Sequence, residues 1–263
     1  MRSQSLSNDL LTCDATWRPA VNFSGVARGE VHVWRAGLDR PAPEVEGLFG
    51  TLSPEERERA RRFRFERDRR HFVVARGTLR ALLGRVLDAE PAALSFVYEA
   101  YGKPALETIE GRDPLSFNVS HSGGLALYAL ARGRRVGLDL ERVRADFASE
   151  EIAEQFFSKD EVRRLRALPE GLRVEGFFNC WTRKEAYIKG RGEGLSFPLD
   201  RFAVSLSPRE PAELLSVEGS AHEAARWSLR HLRPGEGYVG AVAAEGRDWR
   251  LECWDWDGAG ETL

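Results

Sequence analysis

Val136-Gly137-Leu138-Asp139-Leu140-Glu141 is the stretch from which the rest of this 263-residue chain can be read. Val136, Leu138 and Leu140 alternate with Asp139 and Glu141. That period of two predicts a strand with its apolar side chains on one face and both carboxylates on the other. Same-face neighbours on a strand stand about 7 Å apart. Two oxygen donors at that separation can converge on a hard cation such as Mg²⁺, whose usual setting is a few carboxylates plus substrate phosphates. The same pair also reads as a solvated strand face partnered by Arg134, Arg135 and Arg142. Taken alone it does not choose.

Some forty residues on, Trp181-Thr182-Arg183-Lys184-Glu185-Ala186-Tyr187-Ile188-Lys189 has helical character. Trp181, Glu185 and Lys189, spaced i, i+4, i+8, share one face. A carboxylate and an ammonium one turn apart suit a phosphate site, the first binding metal or accepting a proton and the second neutralising phosphate charge. The plain alternative is a Glu–Lys surface pair worth about 0.3 kcal/mol. Only four of the 39 basic residues are lysines (Lys103, Lys159, Lys184 and Lys189), so each marks a place where an ammonium was kept in an arginine-rich chain.

Upstream of the strand lie two smaller signals. Phe117-Asn118-Val119-Ser120-His121-Ser122-Gly123-Gly124 ends a strand in a small-residue turn whose hydroxyls, imidazole and amides can donate to phosphate oxygens. A nucleophilic Ser122 with His121 as its base is the competing serine-hydrolase reading. It fails the G-x-S-x-G elbow, because Ser120 holds the first glycine position. Adjacent residues on an extended chain also point apart. Tyr101-Gly102-Lys103-Pro104 is a turn presenting a lysine.

Composition narrows the field. Hydrophobic residues make up 42% and charged residues 30%, with a formal charge of -2. This is a globular balance without the basic excess of a general nucleic-acid binder. No apolar run nears the ~20 residues that cross a bilayer, and the opening MRSQSLSNDLLTCD lacks the apolar stretch of a secretory signal. Cys13, Cys180 and Cys253 form neither a metal quartet nor a disulfide framework. A cytoplasmic protein binding neither nucleic acid nor membrane is expected. The P-loop, dinucleotide and H-E-x-x-H motifs are absent.

The element pattern is α+β. Residues 1–28 read as a partly ordered leader, followed by a strand over 31–34. Ser53-Pro54-Glu55-Glu56 opens a helix with a capping box. That helix is expected to run through the Arg-rich 57–70 stretch into the periodic Phe72, Ala75, Leu79, Leu82, Leu83 and Val86. Strands are expected over 94–98, 115–119, 125–130 and 136–141, the last two joined as a hairpin by the Gly/Arg turn at 132–135. A second capping box begins at Ser158, a helix covers 173–189, and strands return at 202–206, 227–231, 238–243 and 251–256.

Taken in order, these motifs resemble the 4′-phosphopantetheinyl transferases of the larger, monomeric Sfp type. The matching stretches are S-P-E-E-R-E-R-A-R-R-F from Ser53, Y-G-K-P at 101–104, F-N-V-S-H-S-G at 117–123 and G-L-D-L-E at 137–141. They continue with F-F-S-K-D-E at 156–161, W-T-R-K-E-A-Y-I-K at 181–189 and G-E-G-L-S-F-P-L-D at 192–200. The resemblance implies two similar α+β subdomains related by a pseudo-twofold, an N-terminal one over 29–132 and a C-terminal one over 133–263 carrying the metal site, with coenzyme A in the cleft between them. It implies Mg²⁺-dependent (or Mn²⁺-dependent) transfer of the phosphopantetheine arm of coenzyme A to a serine of an apo acyl or peptidyl carrier protein, releasing adenosine 3′,5′-bisphosphate, with a leaning toward secondary metabolism.

By motif position, Asp139, Glu141 and Glu185 are the implied metal ligands. Glu185, or a metal-bound water beside it, is the implied base, with Glu141 competing, and Lys189 stabilises the pyrophosphate and the departing bisphosphate. Ser120 and His121 are expected to hold coenzyme A phosphates, His121 the 3′-phosphate, while Lys103 and Pro104 flank the adenosine end. Arg59 matches a family position for the 3′-phosphate. The family often has a basic residue where this chain has Glu56, which brings in Arg69 and Arg70. The segment 192–195 matches the region that meets the carrier. A non-catalytic protein of the same fold that binds coenzyme A or carrier is the remaining alternative, and Asp139, Glu141, Glu185 and Lys189 together argue against it.

Overall fold

The structure, a computed structural model, describes residues 16–20, 23–107, 113–218 and 220–258. Most of the expected leader, and with it Cys13, lies outside them. Its described part contributes a short strand, β1 (Trp17–Pro19). Then come β2 (Glu30–Gly37), α1 (Ala42–Thr51), α2 (Pro54–Arg61), α3 (Glu66–Leu87), β3 (Phe96–Tyr98), β4 (Pro104–Leu106), β5 (Leu115–Ser122) and β6 (Leu125–Arg132). The second half runs β7 (Val136–Arg142), α4 (Glu150–Phe156), α5 (Lys159–Ala167), α6 (Glu170–Arg191), β8 (Phe202–Val204), β9 (Leu214–Val217), α7 (Ala221–Ala225), β10 (Trp227–Leu232), β11 (Tyr238–Glu245) and β12 (Arg250–Asp255). The α+β class is as expected.

The two halves repeat one topology. Each is a strand, a run of helices, a small two-stranded sheet and a hairpin, paired antiparallel in the order β2-β6-β5 and β7-β11-β10. The repeat extends to side chains. Both predicted capping boxes form, Ser53 with Glu56 and Ser158 with Glu161. Each box's glutamate is buried and pairs with the fifteenth residue of a 22-residue helix, Glu56 with Arg80 and Glu161 with Lys184. The strand β12 then crosses back, lying parallel between β1 and β2 in the first half's sheet.

Three apolar clusters give four layers. Helices α1 to α3 pack on Trp34, Tyr128 and Leu130 of the five-stranded sheet, and α6 packs on Val239, Ala241 and Ala243 of the three-stranded one. Between the sheets, Val31, Val33, Leu127 and Ala129 meet Val136, Leu138, Leu140 and Val242. The apolar face read from the alternation at 136–141 is thus the inter-sheet core.

Two local expectations are corrected. The Arg-rich stretch is not one helix: the chain breaks between α2 and α3, with Phe65 extended as the N-cap of α3. Phe63 folds back onto the Phe72 ring, with centroids 5.3 Å apart, and Glu66 and Asp68 open the new helix, where carboxylates complement the N-terminal dipole. The turn at 132–135 does not close a hairpin either. It carries the chain from one sheet to the other, so β6 pairs with β5 and β2 while β7 pairs with β11. Period-two patterning specifies a strand's faces but leaves the neighbour at each edge open.

Candidate active site

Two edge strands, β5 and β7, meet side by side, and side chains rather than backbone join them. Asn118 Oδ1 accepts from Leu138 N at 2.8 Å, Ser120 Oγ from Leu140 N at 3.2 Å and Ser122 Oγ from Arg142 N at 3.1 Å. Alternate residues of one strand satisfy alternate amides of the other, so both edges are covered without merging the sheets. The signal for this lay in N-V-S-H-S, whose polar residues recur every second position, but the partner strand was invisible in sequence.

Helix α6 closes over β7 from the other side. A Cβ on Gly137 would fall inside contact distance of Ala186 O and Gly190 N, and one on Gly190 would strike the Trp227 ring. Two glycines therefore let helix and strand backbones touch. From the hairpin that joins β3 to β4, Lys103 Nζ donates to Val136 O (3.0 Å) and Lys189 O (2.8 Å), tying the start of β7 to the end of α6. Burial pulls this ammonium down to about 8, with Glu99 opposing and Arg135 assisting. Pro104, next in sequence, begins β4 opposite Tyr98.

These contacts bring Asp139, Glu141, Glu185, Lys189 and Ser120 together. Lys189 Nζ lies 2.5 Å from Asp139 Oδ1 and 3.3 Å from Ser120 Oγ. Ser120 Oγ in turn donates to Asp139 Oδ1 (3.0 Å), and Ser122 Oγ donates to Glu141 Oε2 (2.9 Å). Burial raises Glu185 to about 7, helped by the charges of Asp139 and Glu141 and opposed by Lys189. Burial and then Asp139 also raise Glu141, against the Ser122 hydrogen bond and Lys189. Burial opposes the charge on Lys189, yet Asp139, Glu185 and Glu141 hold it above the usual lysine range.

The carboxylates sense one another, but among the described residues no three His, Cys, Asp or Glu side chains form a ready-made metal cluster. The fit to a cation rests on a different observation. Asp139 is 3% exposed, and its Oδ2 is buried with no hydrogen-bond partner. A buried, unpartnered carboxylate oxygen is costly, and a divalent cation held by hard oxygen donors would satisfy it.

The residues expected on the phosphates divide. His121 stands at the exposed rim beside Lys189 and His71; partial loss of water around the ring, then the field of Lys189, lowers its pKa. The turn that follows it borders a polar group that sequence reading missed. His71 Nε2 lies 2.9 Å from Asp39 Oδ1; that hydrogen bond first, then nearby Arg67 and Arg70, lowers Asp39. A Cβ on Gly124 would sit 3.2 Å from Asp39 Oδ2 and 4.0 Å from Arg67 and His71. The signal available was His71 closing the Arg-rich run.

Arg70 donates to Arg40 O at 2.5 Å, Arg69 pairs with Glu66, and exposed Arg59 lies over the Phe72 ring at 5.1 Å. Glu56 is committed to its capping box and to Arg76 and Arg80. Past α6, Gly192 takes φ 77° as the C-cap, and a Cβ there would meet Glu99 of the hairpin. A cavity of about 370 Å³ on the far side of α6, lined by Asn179, Arg183, Glu210 and Trp227 among others, includes none of the three carboxylates.

The hydrolase reading pairs Ser122 with His121, whereas the Ser122 hydroxyl is hydrogen-bonded to Glu141.

A site of acidic strand and helix residues flanked by lysine, histidine and arginine is that of a phosphate-handling enzyme. Residues 135–243 match the 4′-phosphopantetheinyl transferase superfamily, and residues 41–132 match the N-terminal 4′-phosphopantetheinyl transferase family. HetI, a 4′-phosphopantetheinyl transferase of Nostoc sp., is 40% identical over 239 residues, covering 91% of this chain and 98% of its own. The 4′-phosphopantetheinyl transferase Sfp of Bacillus subtilis is 33% identical over 171 residues, 64% of this chain and 74% of its own. The crystal structure of Thermotoga maritima holo-[acyl-carrier-protein] synthase aligns with a TM-score of 0.33 and 22% identity over 43% of this chain and 63% of that one, too distant to bear on the site. The chain belongs to the 4′-phosphopantetheinyl transferase superfamily.

Proposed function

We propose that the protein moves the phosphopantetheine arm of coenzyme A onto a serine of an apo acyl or peptidyl carrier protein, with a divalent cation, Mg²⁺ or Mn²⁺, held by Asp139, Glu141 and Glu185. The observation that carries this is the unpartnered, buried Asp139 Oδ2 at the point where β7, α6 and Lys189 converge. When bound, the cation supplies positive charge against the pyrophosphate.

The chain's own residues do the remainder. The carrier serine oxygen replaces the adenosine-side bridging oxygen on the pantetheine-bearing phosphorus, and adenosine 3′,5′-bisphosphate leaves. Such a transfer needs positioning and charge neutralisation more than covalent catalysis. Lys189, fixed by Asp139 and Ser120, faces the charge that builds on the leaving group. Glu185, on the α6 face beside Lys189, is the group that accepts the serine proton. His121, with His71 and Arg67 nearby, forms the basic rim for the terminal phosphate. Ser120, whose hydroxyl goes to Asp139, joins the phosphate site through Lys189.

The test is a mass measurement. Purified protein, coenzyme A and Mg²⁺ are expected to add one phosphopantetheine to at least one of a panel of apo carriers, and Asp139→Ala is expected to abolish the addition while keeping a cooperative melt. Unchanged carrier masses across the panel would leave only a binding protein of this fold.

A further inference from the structure

Ser122 makes two hydrogen bonds that the transfer chemistry does not itself demand. Its Oγ donates to Glu141 Oε2 and accepts from Arg142 N, so one hydroxyl fixes both a carboxylate and the backbone just beyond it. Ser120 makes the same pair of bonds one step earlier, to Asp139 and Leu140. The orientation of both β7 carboxylates is therefore set from the other half of the molecule.

The placement of Ser122 is itself imposed. Gly123 follows in a left-handed conformation (φ 58°), its carbonyl accepts from Tyr238 Oη at 2.7 Å, and a Cβ on it would strike the Arg142 side chain. The left-handed backbone and the close approach to Arg142 favour a glycine at this turn. The hydroxyl proton is fully used on Glu141, leaving none to give to coenzyme or carrier.

We propose that Ser122 is a positioning residue: its hydroxyl holds the Glu141 carboxylate in the orientation that binds the cation. This rests on the transferase reading of the site. Partners in the outer shell that orient metal-binding carboxylates typically cost ten- to a hundredfold in metal affinity or activity when lost.

The full-length protein is compared with Ser122→Ala, and with Ser122→Thr and Ser122→Val, which match each other in shape but differ in the hydroxyl. Mn²⁺ affinity is measured by calorimetry without coenzyme or carrier, kcat and KM by the carrier mass assay, and melting temperature alongside. Ala and Val are expected to lose about tenfold to a hundredfold in Mn²⁺ affinity and kcat, with KM for the carrier unchanged. Thr is expected to stay within about threefold of wild type. Two results overturn the proposal: Ala binding Mn²⁺ and turning over as wild type does, or Thr as impaired as Val. A destabilised Ala variant leaves the Thr and Val comparison to decide. Wild type that binds Mn²⁺ but modifies no carrier would sink the transferase reading, and the calorimetric comparison would still decide the role of Ser122.

Discussion

Glu185 reports on its whole surroundings. Unfolded, it titrates near the ordinary 4.5; folded, burial and two neighbouring carboxylates place it at about 7. Below pH 4.5 both states hold the proton and nothing is gained or lost. As pH rises toward 7 the unfolded chain ionises first, so the native state binds more protons and stability falls. A shift of this size corresponds to about 3 kcal/mol at most. In metal-free buffer, Glu185→Gln is therefore expected to be more stable than wild type at pH 8, with the advantage shrinking toward pH 4.5; thermal melts across that range check it, and an advantage that does not vary with pH would show that Glu185 is not strained. The alternation at 136–141 and the i, i+4, i+8 face at 181–189 made legible the four side chains, Asp139, Glu141, Glu185 and Lys189, that the structure brings together. The scarcity of lysine was informative as well. Lys184 is fully buried on Glu161 and two carbonyls, and Lys103 ends on two carbonyls, so both serve the framework.

At the level of elements, the decisive contact is the touch of β7 and α6 at Gly137 and Gly190. Gly137→Ala is expected to force strand and helix apart, costing about 1–3 kcal/mol and most of the transfer activity, since Asp139 and Lys189 sit on the two sides of that contact. Chemical denaturation and the carrier mass assay measure the two effects; wild-type values in both would mean the approach is looser than described. Capping boxes, strand faces and the helices carrying them were readable because their determinants are local. The break after α2 and the fate of the 132–135 turn were not: the first depends on Phe63 reaching Phe72, the second on which distant strand claims the edge of β7. Neither partner is fixed by the segment's own pattern.

For the molecule as a whole, the doubled topology was expected from the family resemblance and not from any residue repeat, because the halves share strand order, helix length and buried ion pairs rather than residues. Glu56 with Arg80 answers Glu161 with Lys184, with a different cation on each side. The return of β12 into the first sheet was equally silent, since a strand's sequence says little about which sheet receives it. That return has a consequence for stability: β12 lies between β1 and β2 and brings Trp254 into the first core and Cys253 into the inter-sheet core. Truncation after Asp248 is expected to abolish the single cooperative melt of the intact protein, as followed by calorimetry and tryptophan fluorescence; an unchanged melt would show that the last strand is dispensable.

The side-chain rungs between β5 and β7 carry one more implication. Clefts between lobes often open and shut by hinging, with one lobe swinging on a thin connection. Here Asn118, Ser120 and Ser122 stitch the two halves together between β5 and β7, beside Asp139 and Glu141. Any opening of the two halves along this seam is therefore expected to cost those three hydrogen bonds.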